Sequence, residues 1–85
     1  MISTATKGRV YNVYYKTHLK TLREDAKLSR MDVVRKAEVS YQTVLRWEKD
    51  VLKSIDHATL RKLQNFFKVK ETELIYEVDE DGKPK

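Results

Sequence analysis

Cysteine is absent from the 85-residue sequence, which excludes disulfide bonds, thiolate zinc sites and thiol nucleophiles. No stretch approaches the ~18 consecutive apolar residues of a membrane-spanning helix, and the first residues lack the apolar run of a signal peptide. The length leaves little room for a second domain or a deep cleft between domains. We therefore expect one compact cytoplasmic module with no membrane partner.

Catalytic and metal-binding patterns are missing as well. His18 and His57 lie far apart and have no spaced acidic companion, so we expect no metal site. The acidic run at residues 79–82 lacks the rest of a calcium loop, and no nucleophile elbow, phosphate loop or zincin spacing occurs. The sequence thus predicts no catalytic residue, no metal and no cofactor, which argues against an enzyme.

Charged residues make up 36% of the sequence and are unevenly distributed, and the formal net charge is +5. Residues 1–70 carry sixteen Lys and Arg against seven Asp and Glu, a net charge of +9. Residues 71–85 carry two against six, a net charge of −4. The basic part favours an acidic partner such as nucleic acid. The acidic tail is open to two interpretations: a solvated terminus that aids solubility, or a mobile segment that covers the basic face.

The beginning of the chain divides into an unpatterned terminus and a first helix. Residues 1–8 are small and polar, and we expect them to be flexible. The β-branched and aromatic cluster at 10–15 suits a short strand as well as the start of a helix. From Tyr15 onward, apolar residues recur every three or four positions, which predicts a first helix that runs to about Lys27.

Two short helices with polar caps come next. Ser29 and Asp32 match a capping box, which predicts a second helix over residues 30–37. Ser40 offers a new cap and predicts a third helix over about 41–49. The spacing turns Val44 and Trp47 of this third helix inward. Its outward residues are Tyr41, Gln42, Thr43 and Arg46.

A fourth helix and a short closing segment complete the pattern. Asp56 is a candidate cap, and the apolar stripe that follows it includes Leu60 and Leu63. A last turn of helix is expected near Leu74. The alternation over residues 75–78 is a weak strand signal.

The segment 28–48, LSRMDVVRKAEVSYQTVLRWE, resembles the helix-turn-helix of the Cro/repressor-type (xenobiotic-response-element) DNA-binding family. Residues 59–69 and 72–75 resemble the fourth helix and the closing segment of that family, so the resemblance spans 15–75. It implies a mainly all-α fold, a five-helix lambda-repressor-like helix-turn-helix domain with room for short N- and C-terminal strands. The domain boundaries we expect are a flexible N-terminus at 1–8, the DNA-binding domain at 9–76 and an acidic tail at 77–85.

The resemblance also implies that the third helix enters the major groove of double-stranded DNA. Gln42 can pair with N6 and N7 of adenine, and Arg46 with O6 and N7 of guanine. The candidate base-reading residues are Tyr41, Gln42, Thr43 and Arg46. The candidate phosphate contacts are Arg30, Ser29, Ser40, Lys49 and Lys53. The alternative is that the candidate base-reading residues form an ordinary solvated helix face. For Ser29 and Ser40 the alternative is a role as helix caps alone.

Some residues depart from the family pattern or suit the core better than a binding face. Glu38 and Lys68 stand where the family usually has glycine, and left-handed geometry costs such side chains about 1 kcal/mol. Trp47 is expected in the core rather than in a base-stacking role. The resemblance implies that Glu48 is buried against a basic partner, which the sequence does not identify.

We therefore expect a small sequence-specific transcriptional regulator, of the repressor type, that binds a palindromic operator as a homodimer. The spare apolar residues at 10–14 and 75–78 fit a dimer interface or, equally well, an intramolecular strand pair that closes the domain. The alternative function is a protein-binding adaptor, or an antitoxin-like partner, that uses the same fold without reading DNA.

Overall fold

The computed structural model describes residues 13–84, and the expectations for residues 1–8, Val10 and Tyr11 lie outside this range. Within it, five helices and two short strands form a mainly helical domain, which confirms the fold class predicted from the sequence. The elements are β1 (Tyr14–Thr17), α1 (Leu19–Asp25), α2 (Arg30–Ala37), α3 (Tyr41–Lys49), α4 (His57–Phe67), α5 (Glu71–Leu74) and β2 (Ile75–Val78).

The first helix begins at Leu19, so the prediction that it starts at Tyr15 is wrong. Tyr15 and Leu52 exchange two backbone hydrogen bonds of 2.8 Å each, and Tyr15 also pairs with Glu77 in β2. Since both the N–H and the carbonyl of Tyr15 are bonded to Leu52, its backbone has no free groups for helical bonds. The Thr17 hydroxyl accepts a hydrogen bond of 3.1 Å from the Leu19 N–H, which satisfies one of the amides left free at the start of α1.

β1 and β2 form an antiparallel pair within the chain. Tyr14 faces Val78, and Thr17 faces Ile75 at the other end. Val78 and Ile75 are buried, so the strand pair closes the domain. β2 includes residues 77 and 78, the first two of the expected acidic tail, and beyond it the Asp79 N–H donates to the Lys83 carbonyl at 2.8 Å in a tight turn.

The core lies between the helices and the strand pair. Leu19 is fully buried and Leu22 packs against the core, whereas Ala26 lies beyond the end of α1 and is exposed, contrary to the apolar stripe. Leu52 is buried from the loop between α3 and α4, and its pairing with Tyr15 anchors that loop. The other buried apolar residues are Val33, Ala37, Val39, Val44, Trp47, Leu60, Leu63, Leu74, Ile75 and Val78.

Helices α2 and α4 end at residues in the left-handed conformation, and Lys27, two residues after α1, also has a positive φ of 59°. Glu38 closes α2 with φ 60° and Lys68 closes α4 with φ 58°. These are the two positions where the family usually has glycine, and each side chain therefore carries the expected conformational cost. The turn after α2 is joined to α4, because Lys62 Nζ donates a hydrogen bond of 3.0 Å to the Glu38 carbonyl. The helix-turn-helix geometry thus forms without glycine in its turn.

Candidate nucleic-acid interface

α3 is anchored to the domain along one side. Val44 is fully buried and Trp47 is only 5% exposed, as the sequence predicts for the inward face. The Thr17 hydroxyl donates a hydrogen bond to the Trp47 carbonyl, which joins the end of α3 to β1. α3 contacts α1, α2 and β1, so its orientation is set from several directions. Trp47 belongs to the core and has no role as a base-stacking platform.

The N-terminus of α3 is organised by a side-chain cap. Ser40 Oγ accepts a hydrogen bond of 3.1 Å from the Thr43 N–H and donates one of 2.7 Å to Thr43 Oγ1. The first bond satisfies one of the amide donors that every helix leaves free at its start. The second fixes the Thr43 hydroxyl, which keeps its own proton for donation to another acceptor. Ser40 is therefore a cap, as expected, and it also orients a candidate base-reading residue.

The opposite side of α3 faces solvent. Tyr41 is 42% exposed, and Gln42 and Arg46 are exposed as well. Within residues 13–84, the structure gives the side chains of Gln42 and Arg46 no hydrogen bond or ion pair. Because these two residues are four positions apart, they lie on one face, separated by one helical turn. An amide and a guanidinium are thus available there for hydrogen bonds to another molecule.

A buried ion-pair cluster of Arg23, Arg30 and Glu48 joins α1, α2 and α3. The Glu48 side chain is 0% exposed. Arg23 Nε donates to Glu48 Oε2 at 2.6 Å, and its Nη2 reaches Oε1 at 3.3 Å. Arg30 Nε donates to the same Oε1 at 3.0 Å. Arg23 and Arg30 are therefore the basic partners that the sequence did not identify.

The protonation of the cluster follows from these contacts. Burial alone would raise the pKa of Glu48, but the hydrogen bonds from Arg23 and Arg30 outweigh it and lower the pKa below its ordinary value. One carboxylate faces two guanidinium groups, so the cluster carries one surplus positive charge. Arg30 is 29% exposed and Arg23 11%, which places the more accessible charge at the start of α2.

The candidate phosphate contacts occupy three places along the chain. Ser29 and Arg30 begin α2, where Ser29 Oγ accepts from the Asp32 N–H at 3.0 Å and Asp32 Oδ2 accepts from the Ser29 N–H at 2.9 Å. Lys49 and Lys53 are exposed at the end of α3 and in the loop that follows. Ser40, the fifth candidate, caps α3 between them. The contact of Arg30 with Glu48 ties the first group to α3.

Arg23 and Thr17 hold α3 in place through hydrogen bonds to Glu48 and Trp47, and the sequence does not predict this role for either residue. Arg23 also donates through Nη1 to the Leu28 carbonyl at 2.9 Å, so it holds the turn that precedes α2. Glu48 lies 25 residues further along the chain than Arg23. The family resemblance implies a basic partner for Glu48, but it does not specify which basic residue that is.

No helix in residues 13–84 is long and apolar enough to cross a membrane. The same residues contain no group of three or more potential metal ligands among His, Cys, Asp and Glu.

Comparison with known proteins identifies the fold family. The family model of the Cro/C1-type HTH DNA-binding domain matches residues 18–80, which covers all five helices and both the cap and the exposed face of α3. No curated protein and no solved structure matches the chain. The match agrees with the geometry of the helix pair. One side of α3 is buried in the core, its start is capped by Ser40, and its exposed side is polar, while α2 carries Arg30, Arg35 and Lys36. The chain belongs to the Cro/C1-type helix-turn-helix DNA-binding family.

Proposed function

We propose that the chain is a small transcriptional regulator that recognises a specific double-stranded DNA sequence with α3 in the major groove. The observation that carries the proposal is the contrast between the two sides of α3. Val44 and Trp47 fix one side in the core, while Gln42 and Arg46 are exposed and have no partner among the described residues. An α-helix about 10 to 12 Å wide fits the major groove, where base edges differ from pair to pair.

The four candidate base-reading residues have different chemistry. Gln42 offers an amide that matches N6 and N7 of adenine, and Arg46 offers two parallel donors that match O6 and N7 of guanine. Each such pair contributes about 1 to 3 kcal/mol of discrimination against the wrong base. Thr43 offers a methyl group to thymine and a hydroxyl to a phosphate, and the Tyr41 hydroxyl suits a phosphate or a base edge.

Phosphate contacts supply affinity and fix the position of the protein on the duplex. Lys49, Lys53 and Arg30 supply charge, and Ser29 and Ser40 supply hydroxyl or nearby amide groups. Each phosphate that a cation neutralises steepens the salt dependence of binding by about 0.9 logarithmic units. These contacts do not distinguish one sequence from another.

We further propose that the protein acts in the cytoplasm as a homodimeric repressor on a palindromic operator. A single module of this size covers only a few base pairs, so useful specificity calls for a symmetric pair with half-sites about 34 to 36 Å apart. Repression needs no more than occupancy of the operator. The strand pair keeps β1 and β2 within one chain, and the half-buried Tyr14 and Tyr76, which the register places on the same face of that pair, offer an apolar surface for a second copy.

The proposal is tested by selecting duplexes from a random pool with the full chain at two salt concentrations, and by measuring the mass of the complex. Enrichment of a palindrome by a complex with two chains per duplex supports it. Indiscriminate binding that disappears at moderate salt contradicts it, because the basic surface then only attracts phosphate. That result would favour the alternative, a protein-binding adaptor.

A further inference from the structure

Arg30 and Arg23 share Glu48 but differ in what else they do. Arg23 uses Nε, Nη1 and Nη2 on acceptors inside the domain, and its side chain is 11% exposed. Arg30 donates only Nε to Glu48 and is 29% exposed. Arg30 is therefore bound to the recognition helix on one side and accessible to solvent on the other.

We propose that Arg30 is a positioning residue for α3, which sets the orientation in which Gln42 and Arg46 meet the bases, in addition to any phosphate contact of its own. The inference rests on the proposed function, since it concerns how the same interface gains its specificity. It adds a residue that touches no base and nevertheless determines how well bases are distinguished.

The contact between Arg30 and Glu48 helps to fix the orientation of α3. Glu48 lies near the C-terminal end of the helix, six residues from Gln42, which corresponds to about 9 Å along the axis. A shift of the Glu48 end that tilts α3 by about 10° changes the position of Gln42 relative to that end by about 1.5 Å. Hydrogen bonds to base edges tolerate much less, because their donor–acceptor distances fall between about 2.7 and 3.2 Å. Loss of the Arg30 contact can therefore spoil base reading without changing any base-reading residue.

The test compares the DNA affinities of Arg30→Lys and the wild-type chain. Two duplexes are used: the sequence enriched by the selection described above, and a copy in which one base pair is replaced by another. Lysine keeps the charge but has no Nε–H and no planar fork to hold Glu48. We expect the ratio of the two affinities to fall by about fivefold, in the range of coupling between contacting residues. Arg35→Lys is the matched control, because Arg35 lies on the same helix, is 65% exposed and pairs only with Asp32 among the described residues.

A phosphate contact alone predicts a different result. Arg30→Lys and Arg30→Gln would then weaken binding to both duplexes by the same factor, and the affinity ratio would equal that of the wild type. This outcome would overturn the proposal. The Gln variant adds a second substitution in case the Lys variant folds poorly, and both are compared at a temperature where their unfolding curves show a fully native baseline.

Hydrogen exchange of the free protein separates this inference from the proposed function. If Arg30 positions α3, Arg30→Lys speeds exchange of the α3 amides at least threefold more than exchange of the α4 amides, because local opening of α3 becomes easier. Equal changes in the two helices would overturn the inference even if the protein reads DNA. A selective change in α3 would support it even if no palindrome were enriched.

Discussion

Replacement of Glu48 by glutamine removes the one negative charge of the buried cluster. Arg23 is then left 11% exposed with no carboxylate partner, and Arg23 and Arg30 must share the one amide oxygen that remains as an acceptor. Removing one partner of a buried ion pair costs about 3 to 5 kcal/mol. Because Arg30 can turn toward solvent, we expect the low end of that range, about 3 kcal/mol, which corresponds to a Tm decrease of about 12 to 24 °C in a domain of this size.

The assay is urea unfolding followed by the fluorescence of Trp47, the single tryptophan of the chain. The matched control is Glu24→Gln, since Glu24 is an exposed glutamate on α1 and makes no ion pair with the described residues. We expect the control to change the unfolding free energy by less than about 0.5 kcal/mol. A Glu48→Gln variant within the same limit would refute the reasoning, because the cluster would then contribute nothing measurable to stability.

Three further predictions concern stability. The first concerns pH: because folding lowers the pKa of Glu48, its ionised carboxylate stabilises the folded state fully above the pKa of the unfolded state. This stabilisation is lost as pH falls through the folded-state pKa. Between about pH 5 and 3 the unfolding free energy of the wild type should therefore drop more steeply than that of Glu48→Gln. Glu38→Gly and Lys68→Gly should each raise the unfolding free energy by up to about 0.5 kcal/mol, since relief of about 1 kcal/mol of left-handed strain exceeds the entropy cost of glycine, and a decrease in both would contradict this. Ser40→Ala should cost about 1 kcal/mol and Ser40→Asp much less, measured by thermal melting, and equal effects would contradict the capping role.

Local signals were sufficient to predict much of the fold. A cap acts on amides two or three residues away, so Ser29, Ser40 and Asp56 could be identified from sequence, and the structure confirms all three. The inward direction of Val44 and Trp47 follows from helical periodicity, which in turn defines the exposed face of α3. The base-reading residues remain a prediction, because the contacts that define them belong to DNA.

Non-local partners account for what the sequence did not predict. Tyr15 fits a helical period, but it pairs with Leu52 and Glu77, which are distant in sequence, and these pairs convert the expected helix start into β1. The partners of Glu48 could not be deduced for the same reason, since many arginines and lysines were equally available. Pairing across the fold depends on how the helices pack, which residue spacing alone does not specify.

The most direct test of the central claim, that α3 reads DNA sequence, is a thermodynamic cycle between Gln42 or Arg46 and individual base pairs of the enriched duplex. Affinities of the wild-type chain, Gln42→Ala, Arg46→Ala and the control Arg35→Ala are measured on the enriched duplex and on each single base-pair variant. We expect each α3 variant to lose about 1 to 3 kcal/mol of discrimination at one position of the half-site and to keep it elsewhere, while Arg35→Ala keeps it everywhere. If both α3 variants retain the full preference at every position, the recognition surface lies elsewhere on the protein.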